Sequence, residues 1–362
     1  MMRLKKNEID VLNSLKLEIL KNGYDFDQTI KFCNEVKCKI RDEKFTFTYA
    51  ASLFANQKDI NNTIKLLNFN DEPFSRVLKK YLIESNSFEP AAIVFKDTSP
   101  YDAFVKTNFY KEHKKNTINA IREFAKDNRP NHVNGEISIL DVGCGNGIML
   151  ADIVNSIASF HGIRKLNIVL LDPSCEMLKS AKKYCEEKIN FEIDIICINS
   201  SAQDLTMQDY DLIKSKKPYW FINSAFAFHH MPCDKKIEAL KKLKSISSKF
   251  LLTEVHFNHD LPQKDSPELV YSVYKFYGFI FNDIINSPLS ELEKKSSMYQ
   301  FMLAEAINIL SKERGKRIDY HTPIEHWKEI FELSGFREKK THKVVTCQDG
   351  ILTFVMEAEA AY

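Results

Sequence analysis

Hydrophobic positions recur at helical spacing along the first 95 residues. The pattern covers four segments, residues 9–19, 30–40, 45–55 and 60–67. In the first two, apolar residues such as Ile9, Leu12, Leu15 and Ile19 recur as they do on one face of an α-helix, and helices are also predicted over the other two. Neither strand-like alternation nor a glycine-rich turn interrupts these segments. We therefore predict that residues 1–98 form an α-helical cap or docking domain, in which the sequence shows no candidate chemistry.

The pattern changes after residues 97–100, whose Asp-Thr-Ser-Pro sequence predicts a joint between domains. A long amphipathic helix is predicted over residues 101–126, and short apolar runs then alternate with helical stretches. The predicted strands are residues 137–142, 167–171, 191–198, 220–224, 250–256, 337–346 and 351–357. Two long helices, residues 267–285 and 290–312, predict a helical lid inserted at about 258–315, and a last helix is predicted over residues 322–334.

Alternating strands and helices predict a mostly parallel sheet that is covered by helices on both faces. The last two predicted strands are joined by the short turn Gln348-Asp349-Gly350, which is typical of an antiparallel hairpin. We therefore assign residues 99–362 to an α/β domain with a seven-stranded, mostly parallel sheet and an antiparallel last strand.

Composition and charge narrow the functional classes. The chain has 51 Lys and Arg against 49 Asp and Glu, so no strong field favours nucleic acid or a membrane surface as a partner. The most apolar long run, residues 269–285, contains Lys275, Asn282 and Asp283, which favours a buried or lid helix over a membrane span. No apolar signal-peptide core follows the basic start. These features predict a cytoplasmic protein.

The cysteines and histidines show no metal-binding spacing. The eight cysteines are scattered without a Cys-x-x-Cys pair, which disfavours zinc and thioredoxin-like chemistry and predicts buried, reduced thiols. His229 and His230 are adjacent and so differ from an i, i+4 helical pair. We predict no metal.

A glycine-rich turn follows the first predicted strand. Residues 139–147, Ile-Leu-Asp-Val-Gly-Cys-Gly-Asn-Gly, read as a buried strand, a turn and a helix start, which suits a dinucleotide, a phosphate or a nucleoside. Ile148 replaces the third glycine of the dinucleotide fingerprint, and no Gly-Lys-Ser/Thr follows. Asp141 would be unfavourable beside a pyrophosphate, whereas it suits a ligand with an ammonium or sulfonium charge.

Two further polar groups follow the next two predicted strands. Asp172 ends the second strand, where a carboxylate can accept both hydroxyl groups of a ribose, and open α/β sheets bind ligands at this edge. Gln203 and Asp204 follow the third strand, where either could bond the exocyclic amine of an adenine. Each residue alone could be structural, for example as a helix cap. Together they outline an adenosine with a cationic amino-acid tail, which is S-adenosylmethionine.

These motifs resemble those of the class I S-adenosylmethionine-dependent methyltransferases, over residues 137–256. The matching stretches are residues 139–147, 171–178, 201–205 and 224–231. The resemblance implies a Rossmann-like fold, with S-adenosylmethionine as cofactor and S-adenosylhomocysteine as product. It implies cofactor contacts from Asp141, Gly143, Cys144, Gly145, Asp172, Pro173, Met177, Ala202, Gln203, Asp204, Asn223, Ser224 and Ala225.

One position departs from the family pattern. Asn223 stands shortly before the His pair, where many members carry an acidic residue. This disfavours the members that rely on that carboxylate for amine substrates.

The C-terminal third also resembles the GRAS-domain proteins. The similar stretches are residues 274–283 and 317–327, followed by Gly335-Phe336. That family shares the methyltransferase fold. Its plant members are regulators, and its bacterial members look like small-molecule methyltransferases.

The candidate catalytic residues follow the fourth and fifth predicted strands. His229, His230, Glu254 and His256 should face one crevice, and one of them could act as base or orienter for the methyl acceptor. Each also has a structural alternative, such as capping a helix or bonding a backbone group. His321 and His326 are predicted to be solvated or helix-capping. The aromatic residues within 270–281 could line a substrate pocket as a lid or be buried on both faces.

The leading functional hypothesis is methyl transfer to a small, partly apolar or aromatic molecule, at an oxygen, nitrogen or carbon atom. One alternative is a protein or peptide methyltransferase that uses the N-terminal domain for docking. Another is a GRAS-like regulator that keeps the fold without catalysis. The N-terminal helices could also form a homodimer surface, and neither nucleic acid nor membrane is predicted as a partner.

Overall fold

A computed structural model of the chain describes residues 3–91, 97–130, 135–157, 163–346 and 351–361. The backbone separates into two compact units. The first unit comprises Met1–Val94, Ser99–Asn108 and Phe257–Asp319, and the second comprises Phe95–Thr98, Phe109–His256 and Tyr320–Tyr362. Whether residues 1–98 form a domain of their own stays a prediction.

The first unit is helical and has its own aromatic core. Its helices are α1 (Lys6–Lys21), α2 (Phe26–Val36), α3 (Phe45–Asn56), α4 (Ile60–Leu67), α5 (Pro73–Ser85), α6 (Ser99–Phe104), α12 (Pro267–Asn286), α13 (Glu291–Ser296) and α14 (Leu303–Ser311). Helix α3 is buried on all sides except at its last residue. Its Phe45 ring lies 4.9 Å from the ring of Tyr271 on α12, and Phe74 lies 6.0 Å from Tyr274. Five of the six aromatic residues of α12 are buried in this unit, and Phe279 is half-buried.

Two predicted helices differ in detail from the structure, and for residues 101–126 the prediction of a single helix was wrong. The helix predicted over residues 101–126 is divided into α6 and α7 (Asn108–Asp127), because the N–H groups of Lys106 and Thr107 bond three residues back and tighten the last turn. The helix predicted over residues 290–312 contains a π-helical turn, Ser297–Met302, between α13 and α14.

An ion pair between the buried Glu8 and the exposed Arg41 stabilises the first unit. The Glu8 side chain is 2% exposed and accepts hydrogen bonds from Arg41 Nε, Arg41 Nη2 and the backbone N–H groups of Lys5 and Arg41. Burial raises the pKa of Glu8, but these bonds outweigh it and lower the pKa from 4.5 to about 2. The charged form therefore adds stability that is present above about pH 4.5 and is lost as the pH falls towards 2.

We expect Glu8→Gln to lower the free energy of unfolding by about 2 kcal/mol at pH 7. This value is smaller than the pKa shift of Glu8 alone would give, because Arg41 is mostly exposed and solvent screens the pair. Urea unfolding of both proteins between pH 7 and pH 2.5 measures the difference, which should shrink below pH 4.5. As a control, Asp71→Asn breaks the exposed Lys44–Asp71 pair and should change the free energy of unfolding far less than Glu8→Gln does, because solvent screens exposed ion pairs. A Glu8→Gln effect that is independent of pH would contradict the assignment.

The second unit is built on a seven-stranded sheet. Its strands are β1 (Glu136–Val142), β2 (Lys165–Leu171), β3 (Glu192–Ile198), β4 (Tyr219–Ala225), β5 (Lys249–Val255), β6 (Phe336–Thr346) and β7 (Ile351–Ala360). The strand order is β3-β2-β1-β4-β5-β7-β6. Strands β1 to β5 are parallel, and β7 runs antiparallel to both neighbours. The predicted fold class is confirmed, and the carboxyl ends of the five parallel strands lie side by side at one edge.

Helices cover both faces of the sheet. They are α7, which is described above, α8 (Ile148–Ile157), α9 (Cys175–Lys188), α10 (Met207–Lys214), α11 (Cys233–Lys244) and α15 (Ile324–Leu333). On one face, apolar side chains of α10, α11 and α15 pack with Leu140, Ile222 and Phe250 in a single core. On α7, the ring of Phe124 lies 5.5 Å from that of Phe221 on β4.

Some elements and environments were not predicted. The sequence pattern did not predict α5, which Pro73 begins, or α10, which has a capping box between Thr206 and Asp209. Among the described cysteines, Cys33, Cys144 and Cys185 are buried while Cys38, Cys175 and Cys197 are exposed, so the prediction of buried thiols was only partly right.

Within the described ranges, every helix is too short or too polar to span a bilayer.

Candidate active site

The glycine turn lies between β1 and α8. Gly143 and Gly147 have φ angles of 71° and 78°, which L-residues with side chains rarely adopt. A Cβ atom on Gly143 would lie 2.2 Å from Cβ of Ala227, and one on Gly147 would lie 2.8 Å from Cα of Ala181. The turn therefore needs glycine both for its conformation and for the close approach of neighbouring segments.

We expect Gly143→Ala to lower the free energy of unfolding by about 2–4 kcal/mol, from the left-handed backbone and the overlap with Ala227. It should also weaken cofactor binding, because the turn must shift. Urea unfolding and calorimetry measure the two effects. Gly315→Ala is the matched control, since nothing lies within 4 Å of its added Cβ. Equal stability of the two variants would contradict the packing argument.

Asp172 is bonded to the glycine turn. Its Oδ2 accepts a hydrogen bond from the backbone N–H of Gly145 at 3.1 Å, and its Oδ1 accepts one from Ser174 at 2.8 Å. Burial raises the pKa of Asp172, and these two bonds lower it in part. Each carboxylate oxygen can still accept a second bond. The geometry therefore allows Asp172 to order the turn and to accept ribose hydroxyl groups together.

Asp141 and Asn223 form a buried pair across β1 and β4. The side-chain amide of Asn223 donates to Asp141 Oδ1 at 2.6 Å. Burial raises the pKa of Asp141 to about 7, although the bond from Asn223 opposes the rise. A cationic ligand nearby would favour the ionised form of Asp141. The Asn223 Oδ1 atom is buried and has no hydrogen-bond partner among the described residues.

Gln203 and Asp204 have different environments at the end of β3. Asp204 is exposed, and its carboxylate accepts a bond from the Ser201 hydroxyl at 2.6 Å. The backbone carbonyl of Gln203 accepts a bond from Lys242 Nζ at 2.6 Å, while its side-chain Oε1 is buried without a partner in the described chain. Of the two, Gln203 has the acceptor that suits an exocyclic amine.

The other predicted cofactor residues flank these groups. Cys144, Met177, Ala202 and Ser224 are buried, Ala225 is half-buried and Pro173 is exposed. Their roles towards the cofactor stay predictions.

The segment after β4 has an unusual backbone conformation. Phe226 has a φ angle of 54° and donates its N–H to the carbonyl of Thr253 on β5 at 2.9 Å. A bulky residue with positive φ is strained, and such strain is often retained at functional sites. The turn places Ala227 in contact with Gly143, so the segments that follow β1 and β4 pack against each other here.

His229 and Glu254 form a buried pair. The Nδ1 atom of His229 lies 2.9 Å from Oε2 of Glu254, and the backbone N–H of His229 donates to Oε1 at 3.1 Å. Glu254 is 2% exposed. The ring of His230 lies 4.2 Å from that of His229. Three of the four predicted catalytic residues are therefore close together at the ends of β4 and β5.

His256 has a structural contact instead. Its Nδ1 accepts a hydrogen bond from the backbone N–H of Ile324 at 3.0 Å, so it caps the first turn of α15. This contact matches the structural alternative considered for His256 in the sequence.

The sequence did not indicate the environments of two residues in this region. His321 is 3% exposed and stacks on His229 with ring centroids 4.4 Å apart, so it is not solvated, and its helix-capping alternative stays a prediction. Lys236 is fully buried on α11, in a lysine-rich stretch that reads as a solvated face. A single His or Lys belongs to no periodic pattern, so the sequence gives no sign that His321 and Lys236 are buried.

Two family profiles match the chain. The ubiE/COQ5 methyltransferase family matches residues 89–215, which include the glycine turn and Asp172. This match confirms the predicted resemblance to S-adenosylmethionine-dependent methyltransferases and the predicted cofactor. The GRAS domain family matches residues 174–358, just over half of the 362 residues.

Several solved structures are similar. SCL7 from Oryza sativa has a TM-score of 0.60 and 13% identity, over 83% of this chain and 90% of its own, and shows the shared fold. Magnesium protoporphyrin IX methyltransferase (ChlM) from Synechocystis PCC 6803 with bound SAH has a TM-score of 0.41 and 14% identity, and the match covers 69% of this chain and 83% of the other. A SAM-dependent methyltransferase from Methanosarcina mazei has a TM-score of 0.38 and 14% identity, and the match covers 64% of this chain and 95% of the other.

No curated protein matches the chain. The sheet order, the antiparallel β7 and the GRAS match agree with the fold and with the second resemblance found in the sequence. The chain belongs to the GRAS domain family, and its fold is that of the class I methyltransferases.

Proposed function

We propose that this protein transfers a methyl group from S-adenosylmethionine to a small, partly apolar or aromatic molecule. One observation carries the proposal. The glycine turn is hydrogen-bonded to Asp172 at the carboxyl edge of the sheet, where open α/β sheets bind ligands. An intact turn and carboxylate are what cofactor binding requires.

The residues at this edge fit the cofactor. The Oδ1 of Asn223 and the Oε1 of Gln203 are buried acceptors without partners among the described residues, and a bound nucleoside with an ammonium tail offers donors for both. Asp172 would hold the ribose, Gln203 the adenine amine, and Asp141 the cationic tail. The bound cofactor would supply an electrophilic methyl group on a sulfonium.

The His229–Glu254 pair supports proton uptake from the acceptor. A carboxylate that bonds to an imidazole orients the ring and stabilises its protonated form. Such a pair suits a hydroxyl or ammonium acceptor, which must lose a proton when it is methylated. The half-buried ring of Phe226, in the segment between β4 and His229, supports a partly aromatic acceptor.

The GRAS match favours one second candidate, a regulator that keeps the fold without catalysis. Calorimetric titration of the full chain with S-adenosylmethionine and S-adenosylhomocysteine tests cofactor binding. Failure of both to bind at about 1 mM, near −4 kcal/mol, would reject the proposed function. Binding without turnover on a set of small phenols, carboxylic acids and amines would favour the regulator.

A further inference from the structure

His321 reaches His229 from a distant part of the chain. The two imidazole planes differ by 10°, so the rings are parallel. The backbone N–H of Tyr320 also donates to the carbonyl of His229 at 2.5 Å. Ring stacking and a backbone bond thus join residues 320–322 to the segment after β4.

Lys236 fixes both neighbours of His321. Its Nζ donates to the carbonyl of Tyr320 and to the Thr322 hydroxyl, both at 2.6 Å, and it lies 5.2 Å from the centroid of the Trp327 ring. Burying an ammonium group is unfavourable unless such contacts offset its lost hydration. Here the offsetting acceptors flank His321, so the position of that residue depends on Lys236.

The His229 ring has two orientations about χ2 that place different atoms towards Glu254. Only one of them directs Nδ1–H to the carboxylate. A parallel ring on one face restricts the motion that exchanges them, and the bond to Glu254 selects the productive one. Proton transfer needs such a fixed geometry, and a displacement of 1 Å can cost up to about 100-fold in rate.

We propose that His321 and Lys236 are positioning residues for the His229–Glu254 pair. Lys236 fixes residues 320–322, His321 keeps its ring against His229, and His229 keeps Nδ1–H directed at Glu254. The effect on turnover rests on the proposed function. The orientation of the His229 ring does not depend on that function and can be measured without cofactor.

The test uses the full chain labelled with ¹⁵N-histidine, at a pH where the imidazoles are neutral. Long-range ¹H–¹⁵N spectra distinguish the Nδ1–H tautomer from the Nε2–H tautomer, and His229→Gln assigns the signals. We expect wild-type His229 to be in the Nδ1–H form. His321→Ala and Lys236→Met should yield a mixture of forms, whereas His321→Phe, which keeps a stacked ring, should preserve the wild-type form.

The matched control is Lys244→Met on the same helix. Lys244 Nζ also donates to a backbone carbonyl, that of Ala361 at 3.0 Å, and its loss should leave the His229 signals unchanged. If Lys236→Met does not fold, Thr322→Val removes one acceptor of Lys236 at nearly constant volume and takes its place. Circular dichroism checks the fold of every variant.

Turnover is the second measurement, with small phenols as acceptors. We expect kcat to fall about 10- to 100-fold in His321→Ala and Lys236→Met, with the Kd for S-adenosylmethionine and the turnover of His321→Phe close to wild type. Unchanged His229 spectra in folded His321→Ala and Lys236→Met would overturn the inference. So would a His321→Phe variant as inactive as His321→Ala, because the nitrogens of His321 would then be needed. Absence of cofactor binding by the wild type would reject the proposed function alone, and the spectra would still decide the positioning role.

Discussion

Replacing His229 by alanine is expected to lower kcat for methyl transfer about 10²–10⁴-fold, the range that a positioned acid–base group contributes. The reason is its position after β4, where it is bonded to Glu254 through Nδ1 and follows the predicted cofactor residues Ser224 and Ala225 in the chain. The affinity for S-adenosylmethionine should stay close to wild type, because the residues assigned to the cofactor are untouched. Steady-state kinetics with small phenols and calorimetry measure the two quantities.

His256→Ala is the matched control for this variant. It removes a histidine from the same edge of the sheet, but one that caps α15 through its bond from Ile324. It should lower the free energy of unfolding by about 1 kcal/mol, as loss of a helix cap does, with kcat largely retained. Unchanged kcat in a folded His229→Ala protein would show that His229 is structural.

Replacing Asp172 by alanine should weaken S-adenosylmethionine binding about 30- to 100-fold. A hydrogen bond to a charged group contributes about 1.5–3 kcal/mol, and about 1.4 kcal/mol corresponds to tenfold in affinity. The loss has two sources, the ribose hydroxyl acceptors and the bond that holds Gly145 in the turn. Calorimetry with S-adenosylmethionine and S-adenosylhomocysteine should give similar losses, because both ligands carry the same ribose.

Asp204→Ala is the control for charge removal at the same edge. Its carboxylate is exposed and bonds to Ser201, so the affinity should change far less than in Asp172→Ala. Unchanged affinity in a folded Asp172→Ala protein would remove the ribose assignment. A loss in Asp204→Ala as large as that in Asp172→Ala would move the adenine contact from Gln203 to Asp204.

The strands of the sheet were predictable within two or three residues at each end. Residues 137–142 and 250–256 are apolar runs without helical spacing, and a strand that is covered on both faces needs this composition. The antiparallel pairing of β6 and β7 was predictable from the short polar stretch Gln348-Asp349-Gly350 between them in the sequence, which itself lies outside the described residues. Helix interruptions were not, because the bonds that end α6 at residues 105–107 and the π-helical turn at residues 297–302 leave the apolar pattern unbroken.

The candidate cofactor site was predictable because its residues adjoin strand ends. In a parallel sheet the carboxyl ends of neighbouring strands meet at one edge, so the chain order of the motifs indicates their proximity. What could not be predicted was the pairing among them. Asn223 departs from the family pattern, and only the register of β1 and β4 shows that its amide bonds to Asp141.

The sequence by itself indicated the class of cofactor, since the glycine turn, Asp141, Asp172 and Gln203 are local signals at the ends of strands. Only the tertiary structure decided how the polar side chains near the ends of β4 and β5 pair with one another. His229, Glu254, Lys236 and His321 come from four separate segments, and their burial depends on partners far away in the chain. A single polar residue has no periodicity, so its role follows from the packing around it.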